Sequence, residues 1–148
     1  MNWKSITTLV GLCLVSIVAL AQPTASVWDG IYSEDQAKRG ADDFAAHCAS
    51  CHGADMSGTG EAPALAGPQF VSDFNGETVG DLFDRIRTTM PQDNPGSLSR
   101  DQYAETVAFI FKSNGFPAGA KELDRRSEYL KAIAFQASNP HPASSAAH

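Results

Sequence analysis

Six consecutive residues, Cys48-Ala49-Ser50-Cys51-His52-Gly53, concentrate the reactive chemistry of this chain. The C-x-x-C-H pattern is the attachment signature for haem held by two thioether bonds. Two thiols three residues apart add to the two vinyl groups of the porphyrin, and the adjacent imidazole meets the iron from the same side. The spacing assigns Cys48 and Cys51 to covalent attachment and His52 to the proximal iron position, with one haem c as the cofactor. Zinc competes for His47, Cys48, Cys51 and His52, but structural zinc sites use two ligand pairs joined by a connecting segment. Here all four residues fall within six positions. A thioredoxin-like C-x-x-C requires strand and helix alternation around it, and a plain disulfide leaves His52 without a purpose. His47 is read as a solvated neighbour of the motif with no role.

The second axial ligand separates an electron carrier from a gas-binding or catalytic haem. A methionine thioether favours reduced iron, raises the potential and leaves no open position. Beyond the leader described below, the chain has Met56 and Met90. Met56 lies four residues after His52, and four extended residues reach about 14 Å at most. That is a poor allowance for rounding the ring and presenting sulfur to its far face, so Met56 is read as a loop or packing residue. Met90 lies 38 residues after His52, in Thr88-Thr89-Met90-Pro91. Pro91 biases Met90 away from helical geometry, which puts its sulfur on a loop for a preceding helix to aim. Met90 is assigned to the distal iron position.

Three helices must position these groups. Ser33-Glu34-Asp35-Gln36 reads as a capping box with acid in the first turn. Behind it Ala37, Gly40, Ala41, Phe44, Ala45 and Cys48 form one stripe that ends at the first motif cysteine. Thr78-x-x-Asp81 starts a second helix with Val79, Leu82, Phe83 and Ile86 as its buried stripe. A capping box at Ser99-Arg100-Asp101-Gln102 opens a third, with Tyr103, Val107, Ile110 and Phe111 on one face, and Asn114-Gly115 and Pro117 stop it. No stretch alternates like a strand, so the expectation is an all-α fold. The Gly- and Pro-rich segment from Gly58 to Gly76 reads as irregular, packed on the haem in place of side chains. After Gly119, Leu123, Leu130, Ile133 and Phe135 recur too loosely for a helix, yet four large apolar residues predict a segment that folds back on the domain.

The first 21 residues read as a secretory leader, with Lys4 as the positive region, an apolar run from Ile6 to Leu20, and cleavage after Ala21. The run is 15 residues and contains Thr7, Thr8, Gly11 and Ser16, short for a bilayer span of about 20; an uncleaved anchor is the alternative. Cys13 follows Leu12 rather than a small residue, which argues against lipid attachment, and it departs with the leader. Thioether attachment outside the reducing cytoplasm fits export, and the periplasm is the expected address. The division is 1–21 leader, 22–123 monohaem domain, 124–137 extension packing on the domain, and 138–148 disordered tail. His141 and His148 in that tail make a poor metal site. The chain has 17 acidic and 11 basic residues, a net charge of −6, which argues against nucleic acid as a partner.

From Trp28 to about Leu123 the chain resembles a small class I cytochrome c. Trp28-Asp29-Gly30-Ile31-Tyr32, Arg39-Gly40, Cys48 to Gly53, Thr88-Thr89-Met90-Pro91, Asp93-Asn94-Pro95-Gly96 and Asn114-Gly115-Phe116-Pro117-Ala118-Gly119 carry a narrower resemblance. They are similar to small monohaem cytochrome c proteins and domains associated with quinoprotein alcohol dehydrogenases. The resemblance implies three main helices around one covalent haem with long irregular loops. The first and last helices would cross, Gly40 and Phe44 meeting the third near Tyr103 and Val107. It also implies that Pro63, in Pro63-Ala64-Leu65, offers its carbonyl to the haem imidazole N–H. No residue matches the Trp that contacts a propionate in mitochondrial relatives. The implied function is periplasmic one-electron transfer with His/Met ligation, by a protein that is not an enzyme. Its redox partners would be a dehydrogenase donor, of the quinoprotein type by resemblance, and an oxidase as terminal acceptor. The alternatives are a haem-c subunit of a quinoprotein dehydrogenase complex and a gas-binding or peroxidatic haem protein.

Overall fold

The computed structural model describes residues 23–60 and 62–141. The leader expected at 1–21, Cys13 and His148 lie outside the described residues. In chain order the elements are β1 (Ala25–Ser26), α1 (Glu34–His47), α2 (Ala49–His52), α3 (Pro68–Phe74), α4 (Val79–Thr89), α5 (Arg100–Ser113), α6 (Ser127–Leu130) and β2 (Ile133–Ala134). The core is all-α, as expected, with irregular connections on either side of α3. Among the described residues no helix is long and apolar enough to cross a membrane.

Each long helix starts where a side-chain oxygen caps its free N–H groups. Thr78 and Ser99 form full capping boxes with Asp81 and Gln102, each worth about 1 kcal/mol to its helix. Ser33 accepts from the Gln36 N–H, but the box expected there is only half built. The Gln36 side chain turns instead to the Leu123 backbone, donating to its carbonyl at 3.0 Å and accepting from its N–H at 2.7 Å. That bidentate pair secures the chain after α5 to the start of α1.

Helices α1 and α5 cross at Gly40. A Cβ on Gly40 would stand 1.8 Å from the Glu105 carbonyl oxygen, so only glycine permits this approach. One turn on, Phe44 meets Phe109 edge to face at 5.6 Å. Of the stripe on α1, Ala37, Gly40 and Phe44 are buried, whereas Ala45 is exposed. On α4, Val79, Leu82 and Phe83 are buried, and on α5 so are Tyr103, Val107, Ile110 and Phe111.

Two expectations are corrected. The segment from Gly58 to Gly76 contains a helix, α3, whose first residue is Pro68 with Gly67 at the N-cap. Proline fits a first helical position because its missing N–H is unpaired there anyway. Phe70 of α3 is buried and packs on Phe74 and Phe135 at 4.9 and 6.0 Å, so this part of the segment rests on protein aromatics. The second correction is a two-stranded parallel pair, β1 with β2, which joins the two ends of the described chain. Beside it the Phe135 N–H donates to Glu77 O and Gly76 N–H donates to Phe135 O, each at 2.9 Å. Trp28 Nε1 donates to Gln136 O at 2.8 Å. Leu123, Leu130 and Phe135 are buried by this arrangement; residues 138–141 are exposed.

Candidate metal centre

The short helix α2 follows α1 after a break at Cys48, whose backbone leaves helical geometry. His52 N–H nevertheless donates to Cys48 O at 3.0 Å, and Cys51 N–H to the same oxygen at 3.2 Å. One turn of helix thus carries all three motif side chains, and residues four apart lie on one helical face. Cys48 is half-buried and Cys51 exposed, and both are free thiols. Burial pushes the Cys48 thiol up to about 11, so it stays protonated in neutral solution.

His52 is 8% exposed. Its Nδ1 lies 2.8 Å from the Pro63 carbonyl oxygen. A carbonyl only accepts, so Nδ1 carries a proton, and in the neutral ring the bare lone pair is then on Nε2. No described residue bonds Nε2. The bond therefore leaves the ring oriented, with its one metal-ligating atom free.

Pro63 reaches His52 because the loop between them folds on Gly58. Gly58 has φ +80°, and a Cβ there would stand 2.6 Å from Ala62 O and 2.8 Å from Ala64 N. Its N–H donates to His52 O at 2.8 Å. Thr59 Oγ1 donates to the Cys51 carbonyl, closing the loop against the motif. Met56 is buried and sits at φ 61°, a left-handed conformation that costs a non-glycine residue about 1–2 kcal/mol. Its carbonyl accepts from Leu65 N–H at 2.9 Å, which ties it into the loop core.

Beyond Pro63, the chain is held by the far end of α5. Asn114 Nδ2 donates to Leu65 O at 2.9 Å, and its Oδ1 accepts from Gly67 N–H at 2.9 Å. Met90 arrives separately, as the C-cap of α4, half-buried and in extended geometry. Its carbonyl accepts from the Tyr103 hydroxyl at 2.7 Å.

The structure thus joins Cys48, Cys51, His52 and Pro63 in one unit, and Met90 belongs to a separate element, the end of α4. His47 and His141 are exposed. Among the described residues no three His, Cys, Asp or Glu side chains converge, so the tetrahedral shell that zinc takes is not assembled. Two free thiols and a buried imidazole with a free Nε2 are the donor set of a covalently held haem, and the residues fit that group. Cys48 and Cys51 would hold it, with His52 at its iron. Sequence reasoning missed Gly58, Asn114 and Tyr103. Gly58 carries a faint signal as a glycine in a loop, and Asn114 shows in the sequence as a helix stop and as part of a resemblance motif.

A family model described as cytochrome C oxidase, cbb3-type, subunit III matches residues 35–110, a span that includes both the C-x-x-C-H motif and Met90. Among solved structures, the crystal structure of the sulfane dehydrogenase SoxCD from Paracoccus pantotrophus is similar at 23% identity with a TM-score of 0.47. The likeness covers 77% of this chain and 62% of that chain. No curated protein matches.

Proposed function

This chain belongs to the family of cytochrome c oxidase, cbb3-type, subunit III, and from that premise we propose that it is an exported one-electron carrier with a single haem c. In this reading thioethers at Cys48 and Cys51 hold the group, with His52 and Met90 as axial ligands. Family membership carries c-type cytochrome identity and haem-based electron transfer. When bound, the haem supplies a ferric/ferrous couple that needs no substrate bond made or broken.

The observation that carries the proposal is the bond from His52 Nδ1 to Pro63 O at 2.8 Å, which in the neutral ring puts the lone pair on Nε2, where an iron would be met. Around the motif Ala45, Ala46, Ser50 and Cys51 are exposed. These small side chains leave a partner room for close approach at the attachment site. Contact of that kind is small in area and brief, as turnover requires.

Charge supports a basic partner. From Gly40 to Asp84, the stretch holding the motif, the chain has eight carboxylates and no Lys or Arg; Glu77 and Asp84 pair with Arg85, Arg87 and Lys131 from outside it, and the remaining acidic excess steers positive charge toward it. An oxidase acceptor is favoured by the name of the matched family. The quinoprotein dehydrogenase donor rests on motif resemblance alone, since the comparisons carry no link to it. Cleavage after Ala21 and a periplasmic address complete the proposal.

Haem staining on a denaturing gel tests it, with the mature N-terminus sequenced in parallel. Stain should fall in Cys48→Ala and in Cys51→Ala and vanish in the double variant, whose circular dichroism should show a poorly folded chain. The parent should begin at Gln22. Full stain in the double variant, or a well-folded haem-free one, would count against the proposal.

A further inference from the structure

Tyr103 opens the buried stripe of α5 one turn inside the Ser99 cap, its N–H donating to Ser99 O at 3.1 Å. It is 1% exposed, and a buried phenol needs a partner for its hydroxyl. That partner is the carbonyl of Met90, 2.7 Å away and 13 residues earlier in the chain. The Met90 carbonyl has one further neighbour, Gly96 N–H at the longer distance of 3.4 Å. From Gln92 to Ser97 the following loop is exposed. Met90 therefore stands between the end of α4 and an exposed loop, and the Tyr103 phenol is the buried side chain that pins its backbone.

The helix behind that phenol is held near its middle and at its far end. It crosses α1 at Gly40, and at its far end Asn114 bonds Leu65 and Gly67, two and four residues past the carbonyl that orients His52. One helix thus bonds both the Met90 backbone and the chain just past Pro63.

We infer that Tyr103 is a positioning residue that keeps Met90 on the iron, by holding the Met90 carbonyl through its hydroxyl. This rests on the reading of Met90 as the sixth ligand. Without the hydroxyl, the Met90 backbone would be held only by its N–H on Ile86 O and by the long Gly96 contact, and its sulfur would leave an iron more often. Removing a neutral hydrogen bond of this kind raises the population of the released state roughly threefold to tenfold.

The test compares parent, Tyr103→Phe and Tyr32→Phe holoproteins. Tyr32 is also 1% exposed and donates its hydroxyl to a carbonyl, Phe116 O at 2.6 Å, so it controls for loss of a buried phenol. The readouts are the near-infrared sulfur-to-iron band and the fraction of reduced protein that binds carbon monoxide at a fixed subsaturating concentration. Tyr103→Phe should weaken the band on mild warming and raise carbon monoxide binding threefold to tenfold. Both variants should lower the melting temperature alike, and Tyr32→Phe should leave the band and the carbon monoxide binding at parent values. Equal effects in the two variants, or no effect in Tyr103→Phe while the parent shows the band, would overturn the clamp alone. A parent without the band would overturn the Met90 assignment and the clamp with it.

Discussion

Gly58 lies directly beneath Pro63, so close that a methyl on Gly58 would stand 2.9 Å from the Pro63 carbonyl carbon. The carbonyl that orients His52 is thus set by a residue with no side chain. Its positive φ and the lack of space act together.

Gly58→Ala should therefore cost about 2 kcal/mol, from an alanine forced to positive φ and from displacement of residues 62–64. The displaced carbonyl would pull less on the His52 N–H, leaving the imidazole a poorer electron donor, so the reduction potential should rise. Thermal unfolding and a redox titration check both. An unchanged potential would show that the Pro63 contact does not tune the centre.

The segment beyond α5 belongs to the core through Phe135, which is buried against Phe70, Phe74, Phe111 and Phe116. Phe135→Ala should destabilise the protein by about 3–5 kcal/mol, the range for removing a buried phenyl group. Tyr129, 54% exposed, should tolerate Ala within about 0.5 kcal/mol. Denaturant unfolding of both variants checks this. Similar losses in the two would mean that the extension is held by its backbone and not by its aromatic anchor.

Electron transfer with a basic redox protein should slow as salt rises, because eight carboxylates and no Lys or Arg surround the motif in sequence from Gly40 to Asp84. Going from about 0.01 M to 0.1 M ionic strength cuts the screening length from about 30 to 10 Å. The second-order rate should fall about tenfold over such a range. Stopped-flow kinetics with a basic and an acidic partner measure it. A faster rate with the acidic partner at low salt would reverse the assigned sign of the docking face.

The parts of this account legible from sequence are those fixed by near neighbours. Thr78 and Ser99 marked α4 and α5 because capping acts over three residues, and the C-x-x-C-H motif spans one helical turn. Helix α3 escaped notice because Gly67 gives no side-chain cap and Phe70, Val71 and Phe74 make too short a stripe to show a period. The pairing of Ala25 with Ile133 is set by tertiary approach and has no local signature. The same holds for Tyr103 and Asn114, whose carbonyl partners lie 13 and 49 residues away. Gln36 was read as half of a capping box, whereas its amide is claimed by Leu123, a residue 87 positions on that no local rule anticipates.

The central claim is that Met90 closes the iron to outside ligands, and carbon monoxide binding to reduced Met90→Ala, Met56→Ala and parent proteins tests it most directly. Parent and Met56→Ala should resist carbon monoxide and keep the near-infrared sulfur-to-iron band. Met90→Ala should lose the band, bind carbon monoxide and show a lower reduction potential, since a soft ligand to ferrous iron is gone. A parent that binds carbon monoxide readily, or a band lost in Met56→Ala and kept in Met90→Ala, would contradict the account.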